Sequence, residues 1–339
     1  MKQGTHIVLC LIGFAGLGVL LYQLSTPEVW QHVLMMGWGY VPVIGLSLVV
    51  FVHQAWIWRA CFDRGEKRPR LRQLLWVQLA GEAVGNVAPA SQVGKEVGKA
   101  IVLRDKMCVS RGVSSLVVNK TSEMIGGVIF VIGGVVLGLQ RFSWSAEVRG
   151  ALIAVLALSV LGVVWTVFRQ RRSPFARFLN LMLWLRLTFL ERFRDRAVEI
   201  DENLAQFYRL NRWRLVGLLG LHLLGWSMGT LEIYVILYVL GEPMPFVWVY
   251  LFHALMIVIN AAFFFVPLGM GVFEGGHVFL FHLMGLDPKM GLAVGIVRRI
   301  RRLFWMQVGL TLLLIGPRGK RADAMPKNDS LQQVEITNI

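Results

Sequence analysis

Several ionisable clusters interrupt otherwise apolar sequence in this chain. They include Gly94-Lys95-Glu96-Val97-Gly98-Lys99, Asn119-Lys120-Thr121-Ser122-Glu123, Gly271-Val272-Phe273-Glu274 and Arg298-Arg299-Ile300-Arg301-Arg302. Their chemistry is electrostatic. Lys95, Lys99, Lys120 and Arg298 can hold an anion, with the amides of Asn86 and Asn260 as further polar groups. Glu82, Glu96, Glu123, Glu232 and Glu274 can neutralise those cations, and Glu96 and Glu274 can also exchange protons. Lys120 and Glu123 are three residues apart, which puts them on one face of a helix. A charge within an apolar segment costs several kcal/mol unless it is paired or wet. Two readings follow: the pairs only neutralise one another inside a bundle, or the cations also receive an anionic headgroup.

Other chemistries fit poorly. Gly98-Lys99 is followed by Ala100, so GKEVGK lacks the Ser/Thr of a nucleotide phosphate loop, and no strand precedes it. His277 and His282 are five apart rather than the four that sets two ligands on one helix face. Cys10, Cys61 and Cys108 show no metal or disulfide spacing. Ser91 has no histidine nearby in sequence to activate it. No cofactor and no metal is expected, and the chain reads as a non-enzyme.

Elements must place these charges, and the composition says which. The chain has 339 residues, 56% of them hydrophobic and 16% charged, against about 25% charged in a soluble domain. Apolar runs of about 20 residues span a bilayer as helices. Spans are expected at 5–24 (uncleaved), 39–61, 107–140, 150–168, 213–240 and 289–316. The net charge of +15 follows the positive-inside rule rather than nucleic-acid binding. Residues 62–72 carry five Lys/Arg and residues 169–214 eleven Arg, whereas 25–38 and 241–245 carry none. That asymmetry places 62–72 and 169–212 in the cytoplasm, and both termini with them. Segment 169–212 reads as amphipathic, lying in the membrane interface or packed on the cytoplasmic face of the bundle. The tail 317–339 is polar and aperiodic and reads as disordered.

Two segments are apolar but broken: 74–104 by Asn86, Pro89 and Gly94, and 246–286 by Asn260, Pro267, Gly269 and Gly271. They are related. A shift of 178 residues brings Glu96 onto Glu274, Gly98 onto Gly276, Arg111 onto Lys289 and Lys120 onto Arg298. Paired Gly/Pro-broken segments in two halves are the mark of a transporter built from repeats. The charge pattern orients the halves oppositely, with repeat 1 at about 39–140 and repeat 2 at about 213–316. Segment 74–104 then dips from the inside and 246–286 from the outside, as re-entrant hairpins; the alternative is ordinary spans. A helix starting after Gly94 or Gly271 would turn its positive end to an anion. The same glycines, with Gly291 and Gly295, can instead serve close helix packing. The expected fold is an all-α polytopic integral membrane protein. It forms one transmembrane domain over 1–316, with about six full spans plus two hairpins, or up to eight spans, as an inverted repeat.

These motifs carry a resemblance. Asn86-x2-Pro89 through Gly94 and Glu96, together with Pro267-Leu-Gly269-Met-Gly271-Val-Phe-Glu274, resemble the transmembrane flippase-like domain of lysylphosphatidylglycerol synthases, which also occurs alone. The second motif is close to that family's PGGxGxxE, with Leu268 at its first glycine. Arg298 matches the family's arginine in the next helix. Pro89-Ala-Ser-Gln92-Val-Gly94 is most similar to the branch associated with hopanoid biosynthesis, which has Gly-Asp where this chain has Lys95-Glu96. The resemblance covers roughly 5–316. It implies translocation of a phospholipid, hopanoid or polyprenyl-linked amphiphile across a bacterial inner membrane. Aminoacyl transfer belongs to a separate soluble domain of the family, and the polar tail after 316 is too short to be one. The alternative is a membrane-embedded transferase, or an accessory subunit, in the biosynthesis of lipids or lipid-linked glycans. The partners expected are a membrane lipid as substrate and lipid-biosynthesis enzymes at the cytoplasmic face, with no nucleic acid.

Overall fold

A computed structural model describes residues 27–62, 68–87, 91–103, 109–170, 177, 191, 194–210, 212–264, 266, 269 and 271–315. All the regular structure among them is helical: α1 Pro27–Met35, a 3-10 turn Gly37–Gly39, α2 Tyr40–Ala60, α3 Leu71–Val87, α4 Ser91–Leu103, α5 Val109–Arg141, α6 Ala146–Gln170, α7 Arg194–Leu210, α8 Arg212–Val239, α9 Phe246–Ala262, α10 Val272–Leu283 and α11 Pro288–Ile315. Stretches Gly37–Ala60, Arg111–Arg141, Ala146–Val164 and Trp213–Val239 are each long and apolar enough to cross a membrane. Helix α11 has 28 residues, about 42 Å at the helical rise, but its arginines set it apart from those four. The chain is an all-α polytopic membrane protein. The expected span 5–24 and the tail 317–339 lie outside the described residues, as do Pro89, Pro267 and most of 171–193.

Two apolar clusters mark the two ends of the bundle. One gathers the start of α2 (Val43), the end of α8 (Ile233, Ile236, Leu237), much of α9, α10 and the first half of α11. The other gathers the end of α2 (Trp58, Phe62), the start of α3 (Leu74, Val77), Leu103 closing α4, Leu116 near the start of α5, Ile200 of α7 and Leu218 of α8. Each broken pair therefore begins and ends at one end of the bundle: α3 and α4 at the second cluster, α9 and α10 at the first. Their lengths explain this. Helices α4 and α10 have 13 and 12 residues, about 20 and 18 Å, short of a hydrocarbon core of about 30 Å. The two hairpins dip in from opposite ends.

Glycines set how closely the helices approach. Gly126 and Gly127 of α5, Gly133 and Gly134 two turns on, and Gly138 one turn further turn one face to α8 and α9. A Cβ on Gly134 would fall 2.6 Å from that of Ala254, and one on Gly138 would fall 2.8 Å from Leu251. With the backbones that close, Tyr250 donates a hydrogen bond to the Phe130 carbonyl at 2.8 Å. Gly291 and Gly295 of α11 do the same against α10, where a Cβ on Gly291 would sit 2.8 Å from the His277 carbonyl oxygen. The packing use expected of Gly291 and Gly295 is what the structure displays.

One expectation changes. Helix α4 begins at Ser91, so Gly94 lies buried inside it and starts no helix. Helix α10 does start after Gly271, whose φ of +72° is one that glycine adopts without strain. In the amphipathic segment, Ala197 and Ile200 of α7 are buried and Ile200 joins the cluster of Trp58 and Leu116. Its described apolar face is thus packed on the bundle.

Candidate functional site: a polar cavity between the two apolar clusters

A cavity of about 290 Å³ lies between the clusters. Its walls are the polar stretches that the sequence sets within apolar helices. Helix α2 brings Gln54, α3 Gln78 and Glu82, and α4 Lys95, Glu96 and Lys99. Helix α5 adds Asn119, Lys120 and Glu123, α8 His222, Trp226 and Glu232, α9 His253, and α11 Arg298 and Arg301. Lys120 stands about 16 Å along α5 from one end, and Arg298 about 15 Å along α11 from the other, at 1.5 Å per residue. The cavity is therefore at membrane depth, where charge persists only if it is paired or wet.

Every cation lining it has a carboxylate partner. Lys95 pairs with Glu82 across the first hairpin at 2.7 Å. Lys99 pairs with Glu96 at 3.0 Å and Lys120 with Glu123 at 3.1 Å, each within one helix. Glu232 bridges two arginines, taking Arg298 Nε at 3.4 Å on Oε1 and Arg301 Nη1 on Oε2. Five cations thus share four carboxylates, and the lining carries a net charge of +1. Exposure orders the pairs by depth. The side chains of Lys120 and Glu123 are 32% and 29% exposed and form the rim, while that of Glu232 is 2% exposed and forms the floor.

Local packing puts these groups where they are. Gly81 and Gly85, one turn apart on α3, leave a groove for the stems of Lys95 and Lys99, one turn apart on α4. A Cβ on Gly81 would lie 2.7 Å from Lys99 Cγ, and one on Gly85 2.6 Å from the Lys95 amide nitrogen. Across the cavity, Gly229 of α8 gives the same relief opposite His253, where a Cβ would fall 2.6 Å from Cε1. Hydrogen bonds fix the state of His277 behind the floor. Its Nδ1 lies 2.7 Å from the Phe273 carbonyl, which only accepts, and its Nε2 lies 3.4 Å from Arg298 Nη1, which only donates. The ring therefore carries its proton on Nδ1 and is neutral, leaving Arg298 its charge.

The structure brings Lys95, Glu96, Lys99, Lys120, Glu123 and Arg298 together around one space. It sets others of the expected set apart. Glu274 is buried behind α11 and pairs with Arg299. Asn260 Nδ2 donates to the Met256 carbonyl of its own helix at 2.6 Å. Asn86 falls in the last turn of α3, and its side chain lies outside the described part. Sequence reasoning left out Gln54, Gln78, His222, His253 and Arg301 as site residues. Gln78 donates to Gln54 at 2.7 Å, and Thr230 Oγ1 lies 2.9 Å from His253 Nδ1. The signal was available, since a lone polar residue in an apolar helix is a site hypothesis just as a charge is.

Residues 6–310 match the family model described as "Lysylphosphatidylglycerol synthase TM region". The chain belongs to that family. The match is to the family as a whole and selects no branch within it. No curated protein and no solved structure matches the chain. The family fits a membrane lipid-related role for this multi-pass protein.

Proposed function

We propose that this member of the lysylphosphatidylglycerol synthase TM region family is a lipid translocator of the bacterial inner membrane rather than an enzyme. The observation that carries the reading is the net-positive polar cavity at membrane depth, bounded by apolar clusters toward both ends. At about 290 Å³ it sits at the small end of ligand pockets, about 300–1,000 Å³. It suits a headgroup, while the acyl chains stay in the bilayer. The headgroup passes the Lys120–Glu123 rim and settles against Lys95, Lys99 and Arg298. The two halves act as inverted repeats that rock about this site. The termini and α7 are cytoplasmic, so α7 is the face open to lipid-biosynthesis enzymes. The cargo is a phospholipid, hopanoid or polyprenyl-linked amphiphile with an anionic headgroup.

The test is reconstitution in liposomes containing a fluorescent phosphatidylglycerol, with a membrane-impermeant quencher added outside. The parent protein exposes the inner-leaflet pool, and Lys120→Ala with Arg298→Ala slows that exposure at least about tenfold. No exposure by the parent, or an unslowed double variant, defeats the reading. A membrane-embedded transferase has one observation in its favour: Glu96 Oε2 is buried and has no hydrogen-bond partner, a carboxylate oxygen placed to accept a proton. Mass spectrometry of lipids from a deletion strain separates the two. A missing product indicates an enzyme; an intact product held in the wrong leaflet indicates a translocator.

A further inference from the structure

Glu232 differs from the other carboxylates of the cavity. Glu96 and Glu123 pair with lysines of their own helices, and Glu82 with a lysine in the tightly packed first hairpin. Glu232 stands on α8, yet its partners stand on α11, a helix that α8 touches over a short stretch only. It uses one oxygen for each of two guanidinium groups. The contact to Arg298 is long, at 3.4 Å, and Arg301 Nε is buried with no hydrogen-bond partner. A guanidinium presents a planar fork that suits two oxygens of one anion. Here no fork meets two oxygens of one anion: Arg298 gives Nε to Glu232 and Nη1 to His277, and Arg301 gives Nη1 to Glu232 while its Nε stays unpartnered. Arg298 and Arg301 are three residues apart, so both forks open on the same face of α11.

The wall around Glu232 is also permissive. Gly229 and Gly225, about one and two turns before it on α8, line the same cavity without side chains. The shift of 178 residues that relates the two halves brings Gln54 onto Glu232. Gln54 lines the cavity too, and accepts a hydrogen bond from Gln78. One half thus carries a neutral amide where the other carries a carboxylate, and the fold accommodates an amide at that register.

We propose that Arg298 and Arg301 form a subsite for the phosphate of a lipid headgroup, and that Glu232 is its tethered occupant, displaced when the headgroup binds. The assignment rests on the translocator reading for its cargo, but the subsite is tested separately. A phosphodiester has two non-bridging oxygens and one negative charge, so it replaces the carboxylate oxygen for oxygen and charge for charge. Displacement removes the ionic tie between α8 and α11. Filling the site is thereby coupled to freeing α8 from α11, two helices of the second repeat, so that they can shift against each other. An empty cavity keeps its two arginines bridged by Glu232 and α8 tied to α11.

Titration calorimetry on the full chain in detergent tests this, with inorganic phosphate and dioctanoyl-phosphatidylglycerol as probes. Glu232→Gln removes the competitor and is expected to bind both probes at least about tenfold more tightly than the parent. Glu232→Asp keeps the charge but shortens the reach, and is expected to gain less. Arg298→Gln with Arg301→Gln abolishes the gain when combined with Glu232→Gln. If Glu232→Gln does not fold, the Asp variant carries the test alone. Unchanged affinity in folded variants, or a gain that survives loss of both arginines, overturns the subsite. Tighter binding of the lipid than of phosphate identifies a lipid headgroup as occupant, and equal binding overturns that part in favour of a free anion. If the affinities shift as expected while no variant moves lipid between leaflets, the subsite stands and the translocator reading falls. If lipid moves and the affinities do not shift, the reverse holds.

Discussion

Glu274 and Glu96 are related by the 178-residue shift in the sequence, yet the structure uses them differently. The Glu96 side chain reaches the cavity and is 22% exposed. That of Glu274 is 1% exposed and meets Arg299 behind α11. It stands in the first turn of α10, where the helix dipole favours a negative charge. Its role is to fasten α10 to α11. Removing one partner of a buried pair leaves an uncompensated charge and costs about 3–5 kcal/mol. Glu274→Ala is therefore expected to lower the thermal midpoint of the purified protein clearly, as read by tryptophan fluorescence in detergent. Replacing both partners, as Glu274→Leu with Arg299→Met, restores most of it. A single variant that melts with the parent contradicts this role. Lys120→Ala belongs to the opposite class. Its pair with Glu123 is about one-third exposed and worth at most about 1 kcal/mol, so translocation falls while the midpoint stays nearly unchanged.

At the scale of elements, the first hairpin is held by the fit of the lysine stems on α4 into the groove on α3. Gly85 has the least room, because an added Cβ would strike the Lys95 backbone as well as its side chain. A flexible side chain can swing aside, but backbone cannot. Gly85→Leu is expected to push α4 away, carry Lys95 and Lys99 out of the cavity and slow lipid movement at least about tenfold. Circular dichroism should still report a helical protein. Gly225→Ala meets only His53 at 3.4 Å and is expected to be tolerated. If Gly85→Leu translocates like the parent, the hairpin does not position the lysines. The second hairpin works differently. Gly269 and Gly271 both have positive φ and turn the chain into α10, so its glycines serve the turn where those of α3 serve packing.

The whole molecule pairs opposite ends. Contact of the tilted Phe142 and Trp248 rings, with centroids 3.9 Å apart, places the α5–α6 turn beside the α8–α9 turn, while α7 lies at the other end with Trp58 and Leu116. The topology proposed from the charge asymmetry puts α7 in the cytoplasm. In a chain cleared of its native cysteines, Glu147→Cys and Glu242→Cys, both exposed, should react with an impermeant maleimide on intact spheroplasts. Glu202→Cys on α7, also exposed, should react only after permeabilisation. The reverse pattern inverts the topology; labelling of all three from outside breaks it.

Much of this was legible in the residues. Hydropathy is local, and membrane insertion responds to it segment by segment, so the apolar runs specified the long helices and the Gly/Pro interruptions specified the broken pairs. The cost of charge in hydrocarbon marked Lys95, Lys99, Lys120 and Arg298 before any geometry was known. Which partner each charge takes was not legible, because that depends on how far each helix is rotated and how closely it approaches its neighbours. Those quantities are set by contacts between residues far apart in the chain, such as Gly85 with Lys95 or Gly291 with His277. The tertiary structure alone decided that Glu274 faces Arg299 and not the cavity, that His222 and His253 join the wall, and that one carboxylate on α8 holds two arginines of α11.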